Sequence, residues 1–166
     1  MKRQRVLGGG GQERDVRSGT EDDPGVAAMA EDVKESDAGL EEKTERLYYL
    51  REYFSQEIKR IEGTVVNGPQ GREGAPYIVS VSFAGVRSEV LLHALEDKGI
   101  YVSAGSACSS NHPAPSRTLQ AIGVNKELLE STLRFSFCEF TTKEELDYTL
   151  AALRGLLPVL RRFTRR

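Results

Sequence analysis

Apolar residues recur every three or four positions in two long stretches of the chain, and this spacing predicts two amphipathic helices. The first is expected from about 40 to 62, with Gly63 ending it. Its apolar face consists of Leu47, Leu50, Phe54, Ile58 and Ile61. The second is expected after Thr142 and Glu145, which are spaced as a capping box. Its inward face consists of Leu146, Leu150, Leu153, Leu157 and Leu160, with Pro158 as a possible kink.

Strands are predicted where apolar and polar residues alternate instead. The stretch YIVSVSF (77–83) is the clearest case, and shorter strands are expected near 64–67 and at IYVS (100–103). A further strand is expected over TLRFSFCEF (132–140). In that strand Arg134 would lie on the face opposite Phe135 and Phe137, and Cys138 would be a packed core residue.

Three shorter helices complete the pattern. One is expected after Asp23, as the cap, and Pro24, because proline suits the first turn of a helix. RSEVLLHALEDKG (87–99) predicts another, with Ser88 as its cap and His93 as a structural residue, and PSRTLQAIG predicts the third. The glycine-rich residues 1–23 lack a hydrophobic period and are expected to be extended. Strands and helices are interleaved, so the fold class is α/β or α+β.

Composition narrows the class of protein. The 166 residues, 39% of them hydrophobic and 29% charged, suit one soluble domain or one plus part of another. The net charge of −2 does not indicate a nucleic-acid-binding protein. No apolar run approaches the length of a membrane span. The N-terminus has no signal-peptide core. Two cysteines are too few for a disulfide framework, so a cytoplasmic location with reduced thiols is expected.

Candidate chemistry centres on Cys108, which lies among small residues in YVSAGSACSSNHPAPSR (101–117). The small neighbours suit a reactive thiol displayed on a loop. The absence of a lysine or arginine within several residues upstream suits an inert loop cysteine instead, because no local cation would lower the thiol pKa. His112 is a possible base for it or a plain surface residue. The two histidines and two cysteines match no zinc spacing, so no metal site is expected.

Two further residues are candidates for binding anions. Arg134 in the LRFS stretch is either a strand-edge charge in water or a fork held for a carboxylate. Thr20 in RSGT, close to Arg17, offers a hydroxyl that can bind phosphate. The glycine run before it does not match a P-loop or a dinucleotide-binding motif.

Together these segments resemble a known family. GGGGQERDVRSGTEDDPGVAAMAE, SVSFAGVRSEVLLHALEDKGIYVSAGSACSS, PSRTLQAIG and STLRFSFCEFTTKEELDYTLAALR occur in the order seen in cysteine desulfurases. The resemblance is to the nitrogen-fixation and iron–sulfur-assembly type, in the class-V aminotransferase group of pyridoxal-phosphate (PLP) transferases with fold type I. It covers nearly the whole chain.

The resemblance implies a role for each candidate residue. Cys108 corresponds to the nucleophile that attacks the sulfur of L-cysteine and holds it as a persulfide. Arg134 corresponds to the arginine that binds the substrate α-carboxylate, and Thr20 to the threonine that reaches the PLP phosphate of the neighbouring subunit in a homodimer. The expected partner is a sulfur-acceptor or scaffold protein, for iron–sulfur cluster or thio-cofactor biosynthesis.

The chain also departs from this family. The Schiff-base lysine lies in a Ser-x-His-Lys-type motif, and neither His93 nor His112 is followed by lysine. The resemblance therefore implies the C-terminal part of such an enzyme, expected to be inactive alone, with 1–36 as a remnant of the large PLP-binding domain and 37–166 as the small domain. The alternatives are a stand-alone interaction module or a cofactor-free persulfide relay that uses Cys108.

Overall fold

The computed structural model describes residues 8–12, 14, 18–104 and 116–163. Its contacts divide the chain into two units, Met1–Leu40 and Glu41–Arg166. Residues 1–7, 13 and 15–17 and the stretch 105–115, which contains Cys108 and His112, lie outside the described residues. The predicted domains 1–36 and 37–166 remain a prediction.

The first unit contains helix α1, Asp23–Asp37. The side chain of Asp22 caps it by accepting a hydrogen bond from the Gly25 N–H at 3.1 Å. The prediction that Asp23 is the cap was wrong by one residue, because Asp22 is the carboxylate that reaches the free N–H groups of the first turn. No residue of α1 is buried.

Helix α2, Leu40–Lys59, lies in the second unit from its second residue, Glu41, onward. Its apolar spacing places Leu50, Phe54 and Ile58 in the core, as predicted. The helix ends earlier than expected, and the chain turns at Gly63, whose φ of 70° is readily available to glycine.

Four antiparallel strands form one sheet in the order β1-β2-β4-β3. They are β1 (Thr64–Asn67), β2 (Ile78–Phe83), β3 (Ser103–Ala104) and β4 (Thr132–Ser136). One face of β2 and β4 lies in the core through Val79, Val81, Leu133 and Phe135. The antiparallel sheet gives the arrangement an α+β character, within the mixed helix-and-strand class predicted.

Helix α3, Ser88–Glu96, contributes Leu91 and Leu95 to the core. Ser88 is its first residue rather than its cap, and Arg87 occupies the cap position without a side-chain hydrogen bond. The prediction that His93 is a structural residue was also wrong. His93 lies on the helix face opposite Leu91 and Leu95, is exposed, and has its Nδ1 3.1 Å from Glu96.

Two helices close the fold: α4, Arg117–Ala121, and α5, Lys143–Phe163. The capping box of α5 is confirmed, since the Thr142 N–H donates to the Glu145 carboxylate at 2.8 Å and the Glu145 N–H donates to Thr142 Oγ1 at 3.2 Å. The inward leucines from Leu146 to Leu157 are buried as predicted. They join α2, α3 and the sheet in one core.

A buried arginine connects α2 to the irregular segment between β1 and β2. Arg51 donates to the backbone carbonyls of Pro69 and Gly71, both at 2.6 Å, and of Ile78 at 3.4 Å. Three carbonyls thus accept from one charged group, which compensates for burying the guanidinium. The side chain thus anchors both ends of residues 69–78 to α2.

Candidate functional site

Arg134 lies on β4, an inner strand of the sheet, with its side chain exposed. Ser80 of β2 and Ser103 of β3 are its register partners on either side. The interpretation of Arg134 as an edge residue was therefore wrong, because both neighbouring positions are paired. Its Nη2 donates to Ser103 Oγ at 3.2 Å, and among the described residues no carboxylate forms an ion pair with it.

The sheet face around Arg134 is rich in neutral hydrogen-bonding side chains. Asn67 donates to Ser82 Oγ at 2.9 Å and to Ser80 Oγ at 3.4 Å, and Ser82 Oγ lies 2.7 Å from Thr132 Oγ1. These groups bond to each other and carry no charge that neutralises the guanidinium. Arg134 therefore presents a positive fork suited to a carboxylate on this face.

Cys108 and His112 lie outside the described residues, so their predicted roles are untested. The structure does describe the residues on either side. On one side lies β3, whose last described residue is Ala104, and on the other lies Ser116, whose side chain caps α4 by accepting from the Leu119 N–H at 3.4 Å. The segment that carries Cys108 therefore begins within two residues of the partner of Arg134.

Cys138 was predicted to be a core residue, and this was wrong, because its side chain is exposed. Strand β4 ends at Ser136, and the Cys138 N–H donates to Thr141 Oγ1 at 3.0 Å instead of to a neighbouring strand. Hydrogen bonds to the sulfur, first from the Phe140 backbone and then from the Thr141 side chain, lower the pKa of the Cys138 thiol. Sequence reasoning missed this thiol.

Thr20 is an exposed residue of the first unit, between Ser18 and the Asp22 cap of α1. Ser18 Oγ donates to the carbonyl of Gly8 at 3.0 Å, which joins this segment to the glycine run. Thr20 and Arg134 belong to different units. The phosphate-binding role of Thr20 remains a prediction.

The described residues do not form a complete PLP site. Six lysines are described: Lys34, Lys43, Lys59, Lys98, Lys126 and Lys143. All six are exposed or half-buried, and four of them bond to a neighbouring carboxylate or amide side chain. A Schiff-base lysine is activated by a desolvated pocket or a neighbouring cation, and no such setting is found around these six.

A groove of about 500 Å³ opens beside the sheet, and no sequence pattern predicted it. It lies where residues 100–102 part from β4, and its lining includes Tyr101, Ser136 and Tyr148. Arg134 does not line it.

Within the described ranges, no group of three or more histidine, cysteine, aspartate or glutamate side chains is arranged to hold a metal ion. The same part of the chain contains no helix with the length and apolarity needed to cross a membrane.

Comparison with known proteins identifies the family. The family model described as aminotransferase class-V matches residues 8–149. The chain belongs to the class-V aminotransferases. Within this family it is 40% identical over 157 residues to the cysteine desulfurase IscS of Dictyoglomus turgidum, covering 94% of the chain and 40% of that protein. It is 42% identical over 153 residues to the cysteine desulfurase IscS of Salmonella arizonae, covering 92% of the chain and 37% of that protein.

Solved structures of NifS-like proteins share the fold. A NifS-like protein superposes with a TM-score of 0.76 at 30% identity, over 95% of this chain and 40% of its own. A NifS-like protein from Rickettsia africae gives a TM-score of 0.72 at 21% identity, over 93% and 40%, and supports the fold alone. The predicted family and fold class are confirmed. The chain spans about two-fifths of the length of the curated relatives it matches.

Proposed function

We propose that this class-V aminotransferase chain supplies the small domain, residues 37–166, of a PLP-dependent cysteine desulfurase. In this proposal L-cysteine and the Cys108 thiol give L-alanine and a Cys108 persulfide, and the persulfide passes to a sulfur-acceptor or scaffold protein. Atoms and electrons balance without an external oxidant: the S–S bond forms as the substrate Cβ–S bond breaks, the two electrons lost by the sulfurs reduce Cβ, and the proton lost by the Cys108 thiol is matched by the proton that Cβ gains in L-alanine. Residues 1–36 would belong to the large domain, and the chain would be inactive without the rest of it.

The observation that carries the proposal is Arg134. It lies on an inner strand, exposed, without an ion-pair partner among the described residues, and opposite the strand that leads to Cys108. A planar guanidinium in this setting suits the α-carboxylate of an amino acid. The relatives that share this chain's sequence are named cysteine desulfurases.

The remaining assignments follow the family resemblance. Thr20 would contact the PLP phosphate of the neighbouring subunit in a homodimer. Breaking the carbon–sulfur bond needs the electron sink that PLP supplies, and a lysine outside this chain would anchor it. The compartment proposed for the reaction is the cytoplasm.

The experiment joins this chain to the N-terminal part of the Dictyoglomus turgidum enzyme and measures alanine release and persulfide formation. Mass mapping should locate the persulfide on Cys108, and Cys108→Ser should abolish it. Cys138→Ser is the matched control, because it removes an exposed thiol elsewhere in the same unit. A persulfide that survives Cys108→Ser and disappears in Cys138→Ser would overturn the assignment.

A further inference from the structure

Ser103 is the described residue that contacts the Arg134 guanidinium. It is the register partner of Arg134 on β3, and its Oγ accepts from Arg134 Nη2 at 3.2 Å. Ser80 occupies the equivalent position on the other side, but its Oγ receives a hydrogen bond from Asn67 at 3.4 Å. Two serines therefore flank one arginine, and they differ in whether their hydroxyl group bonds to it.

This hydrogen bond uses one of the five N–H groups of the guanidinium. None of the described side chains accepts from the second hydrogen on Nη2 or from those on Nε and Nη1, so within this part of the chain a two-bond contact with a carboxylate is still available. Arginine loses side-chain entropy when it is ordered. Because the contact with Ser103 already restricts the guanidinium, less entropy is lost when the guanidinium is oriented by a bound carboxylate.

Ser103 also lies close in sequence to Cys108. Strand β3 consists of Ser103 and Ala104 alone, and both pair with β4, opposite Arg134 and Leu133. The segment that carries Cys108 follows directly. The Ser103 hydroxyl thus joins the side chain of Arg134 to the last described residues before the cysteine.

We infer that Ser103 is a positioning residue for the α-carboxylate of the amino-acid substrate: its hydroxyl orients the Arg134 guanidinium for a two-bond contact with that carboxylate. The inference rests on the proposed function for its meaning in catalysis, whereas the hydrogen bond itself is a property of this chain. Ser103 acts through Arg134 and makes no contact with the reacting sulfur in this scheme.

The first test uses the chain itself and measures rotation of the Arg134 guanidinium by ¹⁵N NMR of its Nε and Nη groups. Rotation should be slowed in the parent and in Ser103→Thr, which keeps a hydroxyl, and faster in Ser103→Ala. Ser80→Ala is the matched control and should behave as the parent does. Equal rotation in the parent and Ser103→Ala, or faster rotation in Ser103→Thr or Ser80→Ala, would overturn the inference.

The second test uses the joined enzyme and measures KM and kcat for L-cysteine. Because an exposed hydrogen bond to a charged group is lost, Ser103→Ala should raise KM about three- to tenfold with kcat changed less than about twofold. Ser103→Thr should restore KM. If Arg134→Lys raises KM and Ser103→Ala does not, the positioning role fails while the proposed function stands. If Arg134→Lys leaves KM unchanged, the proposed carboxylate site itself fails, and the positioning role fails with it.

Discussion

Replacing Arg51 by methionine removes the guanidinium that holds residues 69–78 against α2. Methionine keeps a flexible apolar stem of comparable reach, so the change deletes the three donated hydrogen bonds and leaves much of the packing in place. The carbonyls of Pro69, Gly71 and Ile78 lose their charged donor. The expected result is a less stable second unit in which this segment is released first.

The magnitude follows from the geometry. Hydrogen bonds to charged groups contribute about 1.5–3 kcal/mol each, and the two to Pro69 and Gly71 at 2.6 Å are the strong ones. Their gross contribution is therefore roughly 3–6 kcal/mol. Part of this is offset because the variant no longer buries a guanidinium, and because water can reach the freed carbonyls. We expect a net loss of about 2–3 kcal/mol in the free energy of unfolding.

Urea unfolding followed by circular dichroism measures this loss, and amide exchange across residues 69–78 shows whether the segment opens first. Arg154→Met is the matched control, because Arg154 is exposed and forms an ion pair with Glu57 at 3.2 Å. The control should cost less than about 1 kcal/mol. A loss in Arg51→Met below about 0.5 kcal/mol, or no larger than in the control, would refute the reasoning.

The remaining predictions concern a thiol, a helix cap and the cofactor. Cys138 should react with iodoacetamide at lower pH than an unstructured cysteine, since the pKa of its thiol is lowered. Thr141→Val should move the midpoint pH of the reaction upwards. A midpoint equal to that of an unstructured cysteine in both the parent and Thr141→Val would contradict this. Thr142→Ala should lower the free energy of unfolding by about 0.5–2 kcal/mol, measured in urea, because it removes the hydroxyl that caps α5; no loss would contradict it. Mixing the chain with PLP and reducing with borohydride should give no single modified lysine by mass mapping; one stoichiometric adduct would contradict this.

The sequence predicted the elements whose signals are local. The leucine spacing and the Thr142–Glu145 box of α5 were read correctly, because helix periodicity and capping involve residues within a few positions of one another. The end of β4 was not predicted correctly. Apolar and polar residues still alternate through Cys138, although β4 ends at Ser136 and the Cys138 N–H bonds to Thr141 instead of to a neighbouring strand. A one-dimensional pattern does not record this change of hydrogen-bond partner.

Contacts between distant residues account for the other differences. Arg51 looked like an ordinary charged residue of an amphipathic helix, yet carbonyls 18 to 27 positions away surround its guanidinium. The hydrogen bond between Arg134 and Ser103 joins residues 31 positions apart and depends on β3 pairing with β4. Hydrophobic periodicity predicts that strands exist and which face is buried, but it does not give their order in the sheet.

The central claim is that Arg134 binds the carboxylate of L-cysteine, and the most direct test is the KM for L-cysteine of Arg134→Lys in the joined enzyme. Lysine keeps the charge but loses the planar two-bond fork. Losing a charge-assisted hydrogen bond of about 1.5–3 kcal/mol should raise KM roughly ten- to a hundredfold, with PLP still bound by its absorbance. Arg154→Lys, a surface change in the same unit, should leave KM unchanged. An unaltered KM in a folded, PLP-loaded Arg134→Lys enzyme would contradict the account.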